Sequence, residues 1–198
     1  MNLPKKKAVF LDRDGVINVD RCYVHCRDDF HFQDGIFELC RAAQTLGYLL
    51  VVVTNQAGIA RGYYSEADFL ELTEWMIRSF AEQQIDIARV YYCPYHPVHG
   101  VGRYKCNSPD RKPNPGMILR AKDELNLDLK SSILIGDKLS DIYAAEAAGV
   151  GRKVLLRAGT GAIKMQGVQC YVSRSLEDIR YRLFSPLHCD TGRCVSIV

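Results

Sequence analysis

The sequence predicts an α/β protein with a doubly wound, mainly parallel sheet and helices on both faces, and three observations carry that expectation. First, three short apolar runs, KAVFL (7–11), YLLVVVT (48–54) and SSILIGD (131–137), do not alternate with polar residues and stop abruptly at polar ones. Strands covered on both faces of a parallel sheet have this pattern. Second, the segments between them carry helical periodicity. Third, polar and charged residues crowd just after each run, where the strands of such a sheet present their carboxyl ends.

The remaining elements follow in order. Asp34 is placed to cap a helix whose apolar face is Ile36, Leu39, Cys40, Ala43 and Leu46, and Gly47 follows where a left-handed residue is wanted. Ser65 is placed to cap the longest helix, with Phe69, Leu72, Met76 and Phe80 on one stripe. A strand is expected at ARVYYC (88–93), then a long loop, 93–113, rich in Pro, Gly, His and Cys. Asn114 as cap and Pro115 at the first helical position lead into Met117, Ile118, Ala121 and Leu125. SDIYAAEAAG (140–149) reads as a short helix, KVLLR (153–157) and more weakly VQCYV (168–172) as strands, and Ser175 opens a last helix to about Leu183. With no internal repeat or low-complexity linker, a single domain over residues 1–184 is expected, followed by a tail, 185–198.

Composition narrows the class. The chain has 198 residues, 47% hydrophobic and 25% charged, enough for one real core. With 26 basic against 23 acidic residues, the net charge of +3 demands no broad nucleic-acid footprint. The start, MNLPKKKAVFLDRD, has too short an apolar run for a signal peptide, and no segment reaches the ~20 apolar residues of a membrane helix. A cytoplasmic protein is therefore expected, its eight cysteines being thiols, core residues or metal ligands rather than a disulfide framework. Lysines 5–7 read as a solvated entry to the first strand, and Cys22, His25 and Cys26 as loop residues.

At the strand ends stand Asp12 and Asp14, then Thr54 and Asn55, then Asp137, Lys138 and Asp141, while Arg111 and Lys112 lie just before the helix at Pro115. Carboxylates, a hydroxyl, an amide and cations are the set that phosphoryl chemistry at Mg²⁺ requires. On an extended backbone Asp12 and Asp14 face one side and Arg13 the other. Two carboxylates so close repel unless a cation sits near them or one holds a proton. Asp12 can then attack phosphorus, Asp14 can serve as acid and base, Thr54 and Asn55 can hold phosphoryl oxygens, Lys112 can offset the charge that builds on them, and Asp137 can complete the metal shell. Each feature alone has a plainer explanation as turn or surface residues. Three strand-end sites of complementary chemistry in one order do not.

With these residues assembled, the chain resembles the haloacid dehalogenase (HAD) superfamily of magnesium-dependent phosphatases. FLDRDGVIN, VVVTNQAGIARG, RKPNPGM and ILIGDKLSDIYAAEAAG are similar to its four motifs in order, spanning about residues 7–157. The wording DRDGVIN, TNQAGIARGYYSEADF, YYCPYHP and RKPNPGM resembles the branch of D-glycero-D-manno-heptose 1,7-bisphosphate 7-phosphatases, whose near relatives hydrolyse histidinol phosphate. The resemblance implies Asp12 as nucleophile, Asp14 as acid/base, Thr54 and Lys112 as stabilisers, and Asp12, Asp14 (through its carbonyl) and Asp137 around Mg²⁺. It further implies substrate contacts from Val19, Asp20, Arg21 and Cys22, from Thr54, Asn55, Gln56 and Ala57, and from Arg111, Lys112 and Lys138. The expected protein is a monomer without a cap domain, acting on a small phosphorylated sugar in the synthesis of nucleotide-activated heptose, with no nucleic-acid or membrane partner. Alternatives are a histidinol-phosphate phosphatase, more weakly a polynucleotide 3′-phosphatase and, in another class, a catalytically silent sugar-phosphate-binding subunit.

The loop 93–113 departs from the branch. Many relatives hold a structural zinc there with Cys-x-His and Cys-x-Cys, but Tyr95, Ser108 and Asp110 occupy three of those places here. Cys93, His96, His99 and Cys106 form an alternative Zn²⁺ set of irregular spacing. A metal-free loop held by prolines and aromatic packing, ending at Arg111 and Lys112 as a wall of the active site, is preferred.

Overall fold

A computed structural model of the protein describes residues 4–157 and 167–185. Six strands, β1 (Lys7–Leu11), β2 (Tyr48–Asn55), β3 (Ile87–Cys93), β4 (Ile133–Gly136), β5 (Arg152–Leu156) and β6 (Tyr171–Ser173), form one sheet in the order β3-β2-β1-β4-β5-β6. Every neighbouring pair is parallel, and Val9 at the centre is in register with Leu50 on one side and Ile133 on the other. The helices are α1 (Ile36–Thr45), α2 (Ala57–Ala60), α3 (Glu66–Glu82), α4 (Gly116–Leu125), α5 (Leu139–Ala148) and α6 (Leu176–Phe184).

The unbroken apolar strands bury both faces because strand side chains alternate. Val9, Leu11, Leu50, Val52, Ile133 and Ile135 join a core with Ile36 and Leu39 of α1, Met76 and Phe80 of α3, and Ile179 of α6. Ala8, Phe10, Val51, Val53 and Leu134 join a second core with Met117, Ile118 and Ala121 of α4 and Ile142 and Ala145 of α5. Ser65 caps α3 as its sequence position suggested, within a reciprocal pair of bonds with Asp68.

Two expected boundaries are corrected and one short helix is added. The residue before α1 is Gly35, in a left-handed conformation (φ 84°) with no side-chain cap bond, so Asp34 does not cap it. Pro115 occupies the cap position of α4, and the helix begins at Gly116. The four-residue α2 is absent from the sequence reading because one turn is too short to show a helical period. The described part of the chain ends at Ser185, so the rest of the expected tail lies outside the described residues.

From β1 the chain steps to β2 and β3 on one side, then crosses over to β4 on the other side of β1. The strand order thus reverses between β1 and β4, and a crevice for ligands opens beyond their carboxyl ends. Asp12 follows β1 and Asp137 follows β4. Residues 12–35 contain turns and two isolated bridges, and the β3–α4 connection contains one 3₁₀ turn, Gly102–Tyr104. No cap domain stands in either place among the described residues.

Ser132 ties together two central segments that lie far apart in sequence. Its buried hydroxyl accepts from the Ala8 N–H at 3.0 Å and donates to the Asp128 carbonyl at 2.6 Å. Ser132→Ala leaves a buried strand N–H without its acceptor, and a loss of about 1–3 kcal/mol is expected in urea unfolding. An unchanged midpoint would contradict that role.

Candidate active site

The site is built around Lys112, whose ammonium is buried at the carboxyl end of the sheet. Its Nζ donates to the Val53 carbonyl at 2.8 Å and pairs with Asp12 at 3.0 Å and Asp141 at 2.5 Å. Burial would push this amine down, but the two carboxylates hold it above the ordinary lysine range. Asn55, at the end of β2, positions the loop that delivers it: the amide Oδ1 accepts from the Lys112 N–H and Nδ2 donates to the Lys112 carbonyl, both at 3.0 Å. Asn55 therefore grips protein main chain, a use not expected for it from the sequence.

Asp12, Asp137 and Asp141 bring carboxylate oxygens within 4.8 Å of one another. Asp141 sits on the first turn of α5, where its Oδ2 accepts from the Lys138 N–H at 2.9 Å. It packs so closely on β4 that a Cβ at Gly136 would stand 2.3 Å from its Cβ. Gly15, with φ +91°, turns the chain out of β1 directly over Asp137, where a Cβ would meet Oδ2 at 2.3 Å. Burial and the charge of Asp141 drive the Asp12 pKa up against the pull of Lys112. Burial, then the charge of Asp12, push Asp137 up to about 7.

This cluster carries more negative charge than Lys112 can balance. The buried Asp137 Oδ1 also lacks any hydrogen-bond donor. An all-oxygen carboxylate set with an unpartnered buried oxygen suits a hard divalent cation such as Mg²⁺. Asp141 is the member of this set to which the sequence reading gave no metal role; its four-residue spacing from Asp137 across a strand-to-helix turn was the available signal.

The Asp14 carboxylate lies outside that trio. The Arg13 guanidinium bonds both its oxygens, with Nη2 2.9 Å from each, and the Asn18 and Gln56 amides donate to it at 3.1 and 3.2 Å. The expectation that Arg13 points away from Asp14 is thus corrected. Strand alternation ends with β1 at Leu11, and the N–H groups of Val16, Ile17 and Asn18 all turn back onto the Arg13 carbonyl. Arg13 is itself buried and also donates to the Val24 carbonyl.

Asp14 and Lys112 border a cleft of about 370 Å³. Of the residues assigned from the resemblance, Asp14, Asp20, Cys22, Asn55, Gln56, Ala57, Arg111, Lys112 and Lys138 line it. Val19 and Arg21 are exposed and are not in its wall, Asp12 and Thr54 are buried and do not line it, and Asp137 lines a neighbouring cleft with Gly15, Asp20 and Arg174. Tyr23, Tyr64 and Ser140 also line the cleft, and the sequence reading missed them because neither spacing nor charge marks them. Lys138 crosses to Asp20 at 3.0 Å and approaches Asp137 at 3.7 Å.

Cys93, His96, His99 and Cys106 are not gathered as a ligand set. The trio of Asp12, Asp137 and Asp141 is the one group of three or more metal-ligating side chains at such range among the described residues. His96 Nδ1 instead accepts from the Val98 and His99 N–H groups. Ser108 accepts from the Asp110 N–H, Asp110 pairs with Arg120, and Tyr104 donates to Glu66 of α3, so the loop is tied down by ordinary bonds.

Comparison with known proteins decides the family. The HAD-hydrolase-like family profile matches residues 110–170. The chain is 51% identical to a D-glycero-beta-D-manno-heptose-1,7-bisphosphate 7-phosphatase of Vibrio cholerae over 90% of this chain and 96% of that one. It is 59% identical to the corresponding alpha-anomer enzyme of Burkholderia mallei over 77% and 80%. The chain belongs to the HAD family of heptose-bisphosphate phosphatases. It is an enzyme, a phosphoric monoester hydrolase. Among solved structures, a HAD-like phosphatase from Mesorhizobium loti superimposes with TM-score 0.78 at 35% identity, covering 89% of this chain and 85% of that one. D,D-heptose 1,7-bisphosphate phosphatase from B. bronchiseptica, complexed with magnesium and phosphate, superimposes with TM-score 0.77 at 28% identity, covering 89% and 97%.

The raised Asp137 gives a pH test. In metal-free protein the native state keeps this proton up to about pH 7, whereas the ordinary value is 3.8. Between those values the native state binds more protons than the unfolded chain, so this contribution to stability is lost as pH rises. Asp137→Asn cannot ionise. With chelator present, the variant's Tm minus that of wild type is expected to grow over that interval, and excess Mg²⁺ should raise only the wild-type Tm strongly. A difference independent of pH would contradict the assignment.

Proposed function

We propose that the protein is a Mg²⁺-dependent phosphomonoesterase that removes the 7-phosphate of D-glycero-D-manno-heptose 1,7-bisphosphate through an aspartyl-phosphate intermediate. The observation that carries this reading is the buried Lys112, which pairs with Asp12 and Asp141 of the carboxylate trio and also lines a cleft shared with Arg111 and Lys138. The substrate is supported by the activities named for the family members above.

Asp12, Asp137 and Asp141 would hold Mg²⁺ by their side chains, with the Asp14 main-chain carbonyl as a further oxygen donor. When bound, the ion cancels repulsion between an anionic nucleophile and an anionic ester. An Asp12 oxygen attacks the 7-phosphorus, the bond from phosphorus to the sugar O7 breaks, and Asp14 delivers a proton to that oxygen. Asp14 next takes a proton from water. The water oxygen attacks phosphorus, the aspartyl bond breaks, and inorganic phosphate and free Asp12 are released. Lys112 and the Thr54 hydroxyl offset charge on the phosphoryl oxygens. Arg111 and Lys138, at the cleft rim, face the rest of the substrate.

The product keeps its anomeric phosphate, the group that nucleotide activation of the sugar requires. The same reading takes residues 1–184 as one catalytic domain, acting as a cytoplasmic monomer. No helix among the described residues is long and apolar enough to cross a membrane.

Phosphate release is to be measured on the alpha and beta anomers of the bisphosphate and on histidinol phosphate, with Mg²⁺ and with chelator. Turnover of at least one bisphosphate anomer, its loss with chelator and recovery with Mg²⁺ are expected, together with a fall of about 1,000-fold or more in Asp12→Asn. Unimpaired Asp12→Asn would overturn the covalent route. Turnover of histidinol phosphate alone would overturn the substrate.

A further inference from the structure

Tyr64 stands in the wall of the cleft yet has no part in the chemistry assigned above. Its ring is held by two neighbours. A Cβ on Gly58 would stand 2.1 Å from a ring carbon, so only glycine lets the ring lie there. The His25 ring stacks on it with centroids 5.1 Å apart and planes 2° from parallel.

The hydroxyl so placed donates to Gln56 Oε1 at 2.6 Å. Gln56 is itself buried, and its Nε2 donates to Thr54 Oγ1 at 2.9 Å and to Asp14 Oδ2 at 3.2 Å. The orientation of the amide follows from these partners. A flipped amide would set its carbonyl oxygen against the Asp14 carboxylate and leave the Tyr64 proton facing an NH₂ group. Burial pushes the Tyr64 pKa up to about 12, so its hydroxyl stays a donor throughout the neutral range.

Two consequences reach the reaction. A threonine hydroxyl has one proton, and with one lone pair occupied by Gln56 that proton is free for a phosphoryl oxygen. The second Nε2 hydrogen, together with Arg13 and Asn18, fixes the rotation of Asp14, which must face the leaving oxygen and then the attacking water. Tyr64 touches neither group.

We propose that Tyr64 is a positioning residue for phosphoryl transfer: acting through Gln56, it holds the Thr54 hydroxyl as a donor and Asp14 in its working orientation. This rests on the roles proposed above for Thr54 and Asp14. Because the effect is confined to the oriented, reacting state, it should appear in kcat rather than in KM.

The test is a double-mutant cycle with Tyr64→Phe, which keeps the ring and its stacking, and Gln56→Met, which keeps the length of the side chain and removes the amide. Steady-state kinetics are measured at saturating Mg²⁺ on heptose 1,7-bisphosphate, with Tm recorded for each protein. Tyr64→Phe is expected to lower kcat about 10-fold with KM within about 2-fold, and Gln56→Met to lower kcat about 100-fold. The double variant should match Gln56→Met alone, because Tyr64 has nothing left to orient. Unchanged kcat in Tyr64→Phe, a loss carried by KM, or multiplying effects in the double variant would each overturn the proposal. If wild type releases no phosphate from either anomer, it is the substrate assignment that falls. The same cycle is then run on p-nitrophenyl phosphate, with the same outcomes for and against Tyr64.

Discussion

The buried ammonium of Lys112 is the constraint around which the catalytic end of the sheet is arranged. A lysine taken out of water is tolerated only where its charge and its donors are met, and removing one partner of such a pair typically costs about 3–5 kcal/mol. Here the partners come from three places in the chain: the Val53 carbonyl near the end of β2, Asp12 after β1 and Asp141 on α5. Meeting the needs of one side chain therefore aligns two strand ends and a helix. Asn55 clamps the main chain of Lys112 itself, and the missing Cβ of Gly136 lets Asp141 come close enough. The third carboxylate, Asp137, is the one this cation does not satisfy, and it marks where a second positive charge belongs.

Charge in the cleft is thereby divided by depth. Lys112 is fixed and dry, with a side chain only 2% exposed, whereas the Lys138 side chain is 54% exposed and pairs with Asp20. A buried, fully committed cation suits charge that changes at one atom during a reaction. A solvated cation on a rim suits recognition, where partners come and go.

The sheet was readable in the sequence because strands buried on both faces have no reason to alternate, and KAVFL coincides with β1 residue for residue. Asp12 and Asp137 were readable for a related reason: they are polar residues at the first positions beyond apolar runs. What the sequence concealed lies in the turns. Side-chain direction there follows local hydrogen bonds rather than a period, so Arg13 folds onto Asp14 and Asn55 onto the Lys112 main chain. Asp141 stood in plain view but seemed spare while Asp14 was counted for the metal. Tyr64 gave no signal at all, since an aromatic after a glycine-rich turn is more often simple packing.

The central place of β1 has a consequence for how the chain is made. β1 can pair with β2 soon after both are made, but its other edge waits for Ile133–Ile135, and the Ala8 N–H waits for a serine 124 residues away. At a synthesis rate of about 5–20 residues per second, that edge stays open on the ribosome for roughly ten seconds. It is a short, almost wholly apolar strand with unmet backbone groups, the kind of surface that invites pairing with a neighbouring chain. When β4 closes on β1, Asp137 and Asp141 arrive beside Asp12 in the same movement. Pairing of β4 with β1 both covers an open apolar edge and brings the reactive carboxylates together.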